Sequence, residues 1–352
     1  MIMKKLPFLL LLLFFACNNE PIGTDAASNK PATAISAEGI NIETTLKEEL
    51  DYEKLRIYPI VADEQLIADH TIASNFKNLK EAIDIKGFRI TENKPFGRFE
   101  DNDAVNNLTV QNKSRDTIYL MAGDVVQGGM QDRVLAMDMV VPPRTITNIS
   151  VFCVEPHRWE YRDNNTGDNP DMAIADDHLS AQNKKIFAFT GYYNVASNDL
   201  RKTMKQTNDQ GAVWQKVGDL TAFNNAESDT GAYTNLENSE TFTKERNEYI
   251  QFFSGKFDLR NDVVGMLAVS GSKVLGVDIF THPNLFKKQY EVLIHSYITE
   301  AMSAGDKPIM TTESINHYSE KLIRKFNAAR ETSKNDQSNY NYNGKLIHFT
   351  DL

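Results

Sequence analysis

Ala122-Gly-Asp-Val-Val-Gln-Gly-Gly-Met-Gln-Asp-Arg-Val-Leu135 and, a short way on, Val151-Phe-Cys-Val-Glu-Pro-His-Arg-Trp-Glu160 form the stretch around which the chain reads. Between them lies Pro142-Pro143. Thr117-Ile-Tyr-Leu-Met-Ala122 is β-branched and aromatic and runs into Gly123-Asp124, a strand followed by a turn. Gly128-Gly129 allows a left-handed backbone or a close approach that a side chain would block. Residues 133–141 are strand-like again and end at the two prolines, which cannot donate to a ladder. Residues 145–155 make a third strand, and alternation sets Val151, Cys153 and Glu155 on one face.

A carboxylate beside a cysteine on a strand must be exposed or paired, because an unpaired buried charge is very costly. Arg133 and Arg158 are the nearby partners, and either can bind a carboxylate with two donors. Two readings follow. In one, Arg–Glu pairing holds a rigid turn, Trp159 caps the core and Cys153 packs as a small hydrophobe. In the other, Gln127, Gln131, Asp132, Arg133, Glu155 and Arg158 are ligand-binding candidates around a pocket for an anionic group. The first is preferred, since structural ion pairs outnumber functional ones. A Cys153–His157 nucleophile–base dyad is disfavoured: along a strand, at ~3.3 Å per residue, the two lie roughly 13 Å apart.

Gln127-Gly-Gly-Met-Gln-Asp-Arg133, Val140-Val-Pro-Pro143 and Cys153-Val-Glu-Pro-His-Arg-Trp159 together resemble the signature of the ARG-and-rhodanese-phosphatase-associated protein domain family. Val264-Gly-Met-Leu-Ala-Val269 and Val277-Asp-Ile-Phe280, followed by a helix, are similar to that family's second half. The resemblance covers most of the chain after about residue 50. It is to a domain of unknown function whose name points to ADP-ribosylglycohydrolases and phosphatases as context, and it implies no catalytic residue.

At the N-terminus, Lys4-Lys5 precede the apolar run Leu6-Pro-Phe-Leu-Leu-Leu-Leu-Leu-Phe-Phe-Ala16. That run is well short of the ~20 residues a spanning helix needs and reads as a signal peptide over 1–16. Ala16-Cys17 fits a lipoprotein cleavage site, with Cys17 as the lipidated residue. Residues 17–50 are small and polar and read as a flexible tether, a coil spanning roughly 30 Å.

Outward from the central stretch, 52–61 and 86–91 are strand-like, and 105–111 with 117–121 suggest a hairpin around Asn112-Lys-Ser-Arg-Asp116. Residues 74–83 have helical spacing with Ser74 as a candidate N-cap. Asp163-Asn-Asn-Thr-Gly-Asp-Asn-Pro-Asp171 is a loop rich in oxygen ligands, but its spacing does not match a calcium-binding EF-hand.

Beyond it, 200–206, 210–223 and 242–253 are helical. Residues 263–269 and 273–280 flank Ser270-Gly-Ser272 as a hairpin with both faces covered, in which Asp278 needs a partner if buried. Helices over 283–302, carrying His295 as a packing residue, and over 312–330 precede a last strand at 344–350. The fold class is therefore α+β. An antiparallel β-rich part, 51–162, is folded on itself or sandwich-like. It packs as one unit with a mixed helical and β-hairpin part, 163–352.

With 41% hydrophobic residues the 352-residue chain can bury a real core. A net charge of −10 argues against nucleic-acid binding and against electrostatic attraction to anionic lipid, leaving the acyl anchor as the expected route to a membrane. No phosphate-binding loop, dinucleotide fingerprint, nucleophile elbow or zinc-protease helix is present, and no cofactor or metal is expected. The expected function is a ligand- or partner-binding module at the bacterial cell envelope, its partner a small molecule, glycan or protein. The rival is a hydrolase of a nucleotide-sugar, an ADP-ribose-like compound or a glycan, using Asp132, Glu155 and the two arginines.

Overall fold

A computed structural model describes residues 39–92, 106–158 and 188–352. Cys17, Trp159 and the oxygen-rich loop 163–171 lie outside the described residues, as do the signal peptide and most of the expected tether.

The fold begins earlier than the expected tether end at residue 50. Strand β1 (Ile40–Ile42) pairs antiparallel with β3 (Leu55–Ala62), and β2 (Asp51–Tyr52) returns onto the start of β3. Ile40 and Ile42 are buried, and two apolar side chains on an edge strand are enough to tie a polar segment into the core.

Helix α1 (Glu64–Asp69) follows, capped by Asp63, whose carboxylate accepts from the Leu66 amide at 2.7 Å. The helix expected over 74–83 is replaced by a 3₁₀ turn (Thr71–Asn75) and the short α2 (Leu79–Ala82). Asn78 causes the break. It forms a reciprocal capping box with Glu81, and its side-chain amide is tied to the Lys288 carbonyl at 2.8 Å.

β4 (Phe88–Glu92), β5 (Asn107–Asn112), β6 (Ile118–Leu120), β7 (Asp124–Gly128), β8 (Arg133–Leu135), β9 (Met139–Val141) and β10 (Thr145–Cys153) come next, then β11 (Ala188–Val195). Six of these close into a barrel in the order β10-β5-β4-β11-β7-β8, so the β-rich part is folded on itself. Ile90, Leu108, Val110, Val126, Leu135, Ile149, Val151 and Phe189 fill it. Closure leaves no exposed sheet edge in the ring.

The expected hairpin over 105–121 does not form. β5 pairs with β4 and β10, while β6 pairs with β9 in a separate two-stranded ribbon. Asn112 turns the chain away: its amide donates to the carbonyls of Asp116, Val141 and Pro142 at 2.8, 3.1 and 3.1 Å.

α3 (Asn198–Thr207), α4 (Gln210–Phe223) and α5 (Glu240–Phe253) lie where the periodicity sets them, each capped by a Ser or Asp side chain. The hairpin β12 (Val263–Ser270) and β13 (Lys273–Phe280), α6 (Pro283–Ala304), α7 (Thr312–Thr332), β14 (Asn339–Tyr342) and β15 (Lys345–Asp351) complete the chain. These strands form an antiparallel sheet in the order β1-β3-β12-β13-β15-β14, with β2 beside β3.

β12 is buried along its whole length because both faces are covered. Met266 and Ala268 face the cluster that includes Leu293, Tyr297 and Ile298 of α6, whereas Val264, Leu267 and Val269 face Ile315, Leu322 and Phe326 of α7. The division at residue 162 is not a boundary in space. β11 closes the barrel from the later part, β1 and β3 join the hairpin from the earlier one, and Ala37–Leu352 is one compact unit.

Candidate functional site

The central stretch folds into a buried polar network at one end of the barrel. β8 and β10 pair antiparallel with Arg133 opposite Cys153, and Glu155 and Arg158 follow β10. The Arg133 guanidinium donates to the Gln131 side-chain oxygen at 2.9 Å and to Cys153 Sγ, and reaches Glu92 at 3.4 Å. Arg158 pairs with Glu155 at 2.7 Å and donates to the Gly129 and Gly128 carbonyls at 2.8 and 3.1 Å. Glu155 also accepts from the Asp132 amide at 3.0 Å. Asp132 in turn accepts from the Gly128 amide at 3.1 Å and the Thr234 hydroxyl at 2.9 Å. Gln131, Asp132, Arg133 and Glu155 are all buried.

Five of the six candidates therefore come together, each holding another or the Gly-Gly turn. Gln127 stands apart on β7, its side chain over Gly191 of β11. Glu92, at the end of β4, belongs to the network and was not anticipated. Its signal in the sequence was an acid in phase with Phe88 and Ile90, the buried face of an alternating strand.

Cys153 and His157 do not make a dyad. The thiol is buried, with the Arg133 guanidinium beside it, and burial pushes it up to about 11; His157 is exposed. A nucleophile needs the opposite, a thiol lowered toward neutral pH.

A second centre joins the barrel to the sheet. His348 on β15 lies between two carboxylates, with Nδ1 2.6 Å from Asp138 and Nε2 3.0 Å from Asp278 of β13. Ionised carboxylates accept, so the two neighbours favour the doubly protonated imidazolium form of the ring. Burial opposes that charge, but the two carboxylates outweigh it and raise the imidazole above its usual value. Asp278 is completely buried; it takes both prongs of Arg201 from α3 at 3.0 and 2.6 Å and the Tyr297 hydroxyl at 2.5 Å. Against its burial, these partners hold its carboxyl well below the ordinary range. The Arg201 stem passes over Gly123, where a Cβ would sit 2.9 Å from Cγ. The partner that Asp278 required is thus a full set.

Asp138, in the turn between β8 and β9, is the member of this chain that reaches open space. One oxygen accepts from the Ala122 amide at 2.7 Å and the other faces His348. Burial pushes its carboxyl up, but His348 outweighs that and keeps it ionised below the usual range. It lines a cavity of about 810 Å³ whose walls include Phe152, Met204 and Tyr340, and Lys205 projects into the same space from α3. Lys205 stands one helical turn beyond Arg201 and makes no hydrogen bond or ion pair among the described residues. Burial, with repulsion from Arg201, lowers its amine to about 8. The cavity is within the size range of small-molecule sites. None of its polar residues carried a local motif.

The model of the ARG and Rhodanese-Phosphatase-superfamily-associated Protein domain matches residues 43–351. The chain belongs to that family. Its match runs from just after β1 to the end of β15 and so takes in both the Gly-Gly network and the His348 centre. No curated protein and no solved structure matches the chain. Among the described residues no helix is long and apolar enough to cross a membrane.

Proposed function

We propose that this family member is an exported, lipid-anchored binding module of a bacterial cell envelope, and that its ligand is a small molecule held in the cavity beside α3. The observation that carries the binding reading is the pairing, in one cavity, of a carboxylate fixed by two donors with a lysine that has no partner among the described residues. Polar groups held in place beside apolar wall, here Phe152 and three methionines, are what a small-molecule site requires. The rival hydrolase reading needs Asp132, Glu155 and the two arginines turned toward a substrate. In the described residues Asp132, Glu155 and Arg158 bind one another and the Gly-Gly turn, and Arg133 binds Gln131, Cys153 and Glu92, which favours a structural part for them.

Export and anchoring rest on the leader and on Ala16-Cys17. Membrane association then comes from the acyl chain rather than from charge, and nucleic acid is not a partner of a chain with a net charge of −10.

A thermal-shift screen of nucleotides, sugars, amino acids and metal ions tests the binding reading. A ligand whose stabilisation disappears in Lys205→Gln supports it, and a ligand whose effect survives that substitution places the site elsewhere. The anchor is tested by Cys17→Ser, which is expected to abolish acylation and move the protein to the soluble fraction; continued membrane fractionation overturns it.

A further inference from the structure

The cavity offers opposite charges to one space, Lys205 on one side and the carboxylates of Asp138 and Asp336 on the other. Asp138 is held ionised from behind, and each of its oxygens, having taken one donor, retains a lone pair for another. Lys205 faces Arg201 on its own helix, Asp138 from the barrel, Asp278 from β13 and Asp336 from the segment before β14. Met137, Met139, Met204 and Phe152 supply apolar wall around them. Thioether side chains adapt to apolar groups of different shape.

The charges narrow the ligand. A simple anion would meet the Asp138 and Asp336 carboxylates, and a simple cation would meet Lys205 with Arg201 behind it. A neutral sugar would strip water from both charges and return no counter-charge, which is costly. A molecule carrying both signs compensates each.

We infer that the cavity binds a zwitterion with apolar side chains, an amino acid or a short peptide, with its ammonium on Asp138 and its carboxylate on Lys205. This rests on the reading of the cavity as the ligand site. At about 810 Å³ the space is large enough for more than one residue. The ammonium of Lys205 is what recognises the carboxylate, so binding weakens as pH rises through about 8.

Isothermal titration of the full chain, in detergent, with L-methionine and with methionyl-methionine separates the two sources. Either free ligand is expected to bind. The N-acetylated form, which lacks the ammonium, and the amide, which lacks the carboxylate, should each bind at least tenfold more weakly. Lys205→Gln should weaken the free ligand tenfold or more and leave the amide unchanged, and Lys205→Met guards against a new hydrogen bond from the glutamine. Equal binding of free and blocked forms, or unchanged affinity in both variants, overturns the inference. If neither zwitterion binds but a sugar or nucleotide does, with that binding lost in Lys205→Gln, the zwitterion is wrong and the cavity stands as the site. If nothing binds, both readings fall.

Discussion

His348 and Asp138 are 210 residues apart in the chain and 2.6 Å apart in space, Nδ1 to Oδ2. The contact ties the last strand of the sheet to a turn of the barrel. Asp278, on the other side of the ring, extends it to Arg201 and Tyr297, while Phe280 stacks on the imidazole at 4.4 Å. A buried imidazolium between two carboxylates is a linkage between proton binding and folding.

The sign of that linkage follows from the raised pKa of His348. Its charge contributes stability fully below the ordinary histidine value of about 6.5, and the contribution is lost as pH rises through the higher folded value. Replacing His348→Gln is expected to cost about 3–5 kcal/mol at pH 6, the usual penalty for removing one partner of a buried pair. Denaturant unfolding of both proteins at pH 6 and pH 9 checks this. The loss should shrink at the higher pH, and an equal loss at both would mean that stacking on Phe280, not charge, is the contribution.

Glu155→Ala removes the carboxylate nearest the Arg158 guanidinium, which keeps Asp132 and the Gly-Gly carbonyls, and leaves the Asp132 amide without its acceptor. A loss of about 1–3 kcal/mol is expected, the cost of leaving a buried donor unsatisfied. Urea midpoints measure it. An unchanged melting temperature would contradict the structural part given to the network and return Glu155 to ligand contact.

Gly128 has a φ of +131°, and a Cβ there would lie 2.9 Å from the Ala188 carbonyl oxygen, where β7 pairs with β11. Gly128→Ala is therefore expected to destabilise by more than about 1 kcal/mol, because backbone on both sides must shift. Since β11 closes the barrel, amide exchange in β7 and β11 should accelerate before that in β12, and uniform acceleration would argue against this local cause.

Cys153 should resist alkylation. With its thiol pushed up to about 11, only about one molecule in a thousand is thiolate at pH 8, and the sulfur is buried besides. Iodoacetamide at pH 8 is expected to leave the folded protein unlabelled at Cys153 and to label it in urea. Rapid labelling of the native form would point to an opening of the network around Arg133.

Much of the architecture was legible because it is written locally. The hairpin of β12 and β13 is announced by two apolar runs around Ser270-Gly-Ser272, and α6 by Pro283 at its start. Pairing of Arg158 with Glu155 is likewise a near-neighbour event. The break at Asn78 and the diversion at Asn112 were missed because side-chain caps there defeat an apolar periodicity that reads as continuous. β11 was missed because what makes it a strand is the barrel it closes.

By itself, then, the sequence determined the α+β class, most helices and the central hairpin, and the requirement that Asp278 have partners. Each follows from side-chain period, turn chemistry or the cost of burying a charge. Only the tertiary structure decided that β11 completes a barrel, that His348 joins Asp138 to Asp278, and that Lys205 and Asp138 share a cavity. A polar residue far from its partner along the chain shows that it needs one without showing which, and the choice is made when distant strands come into register.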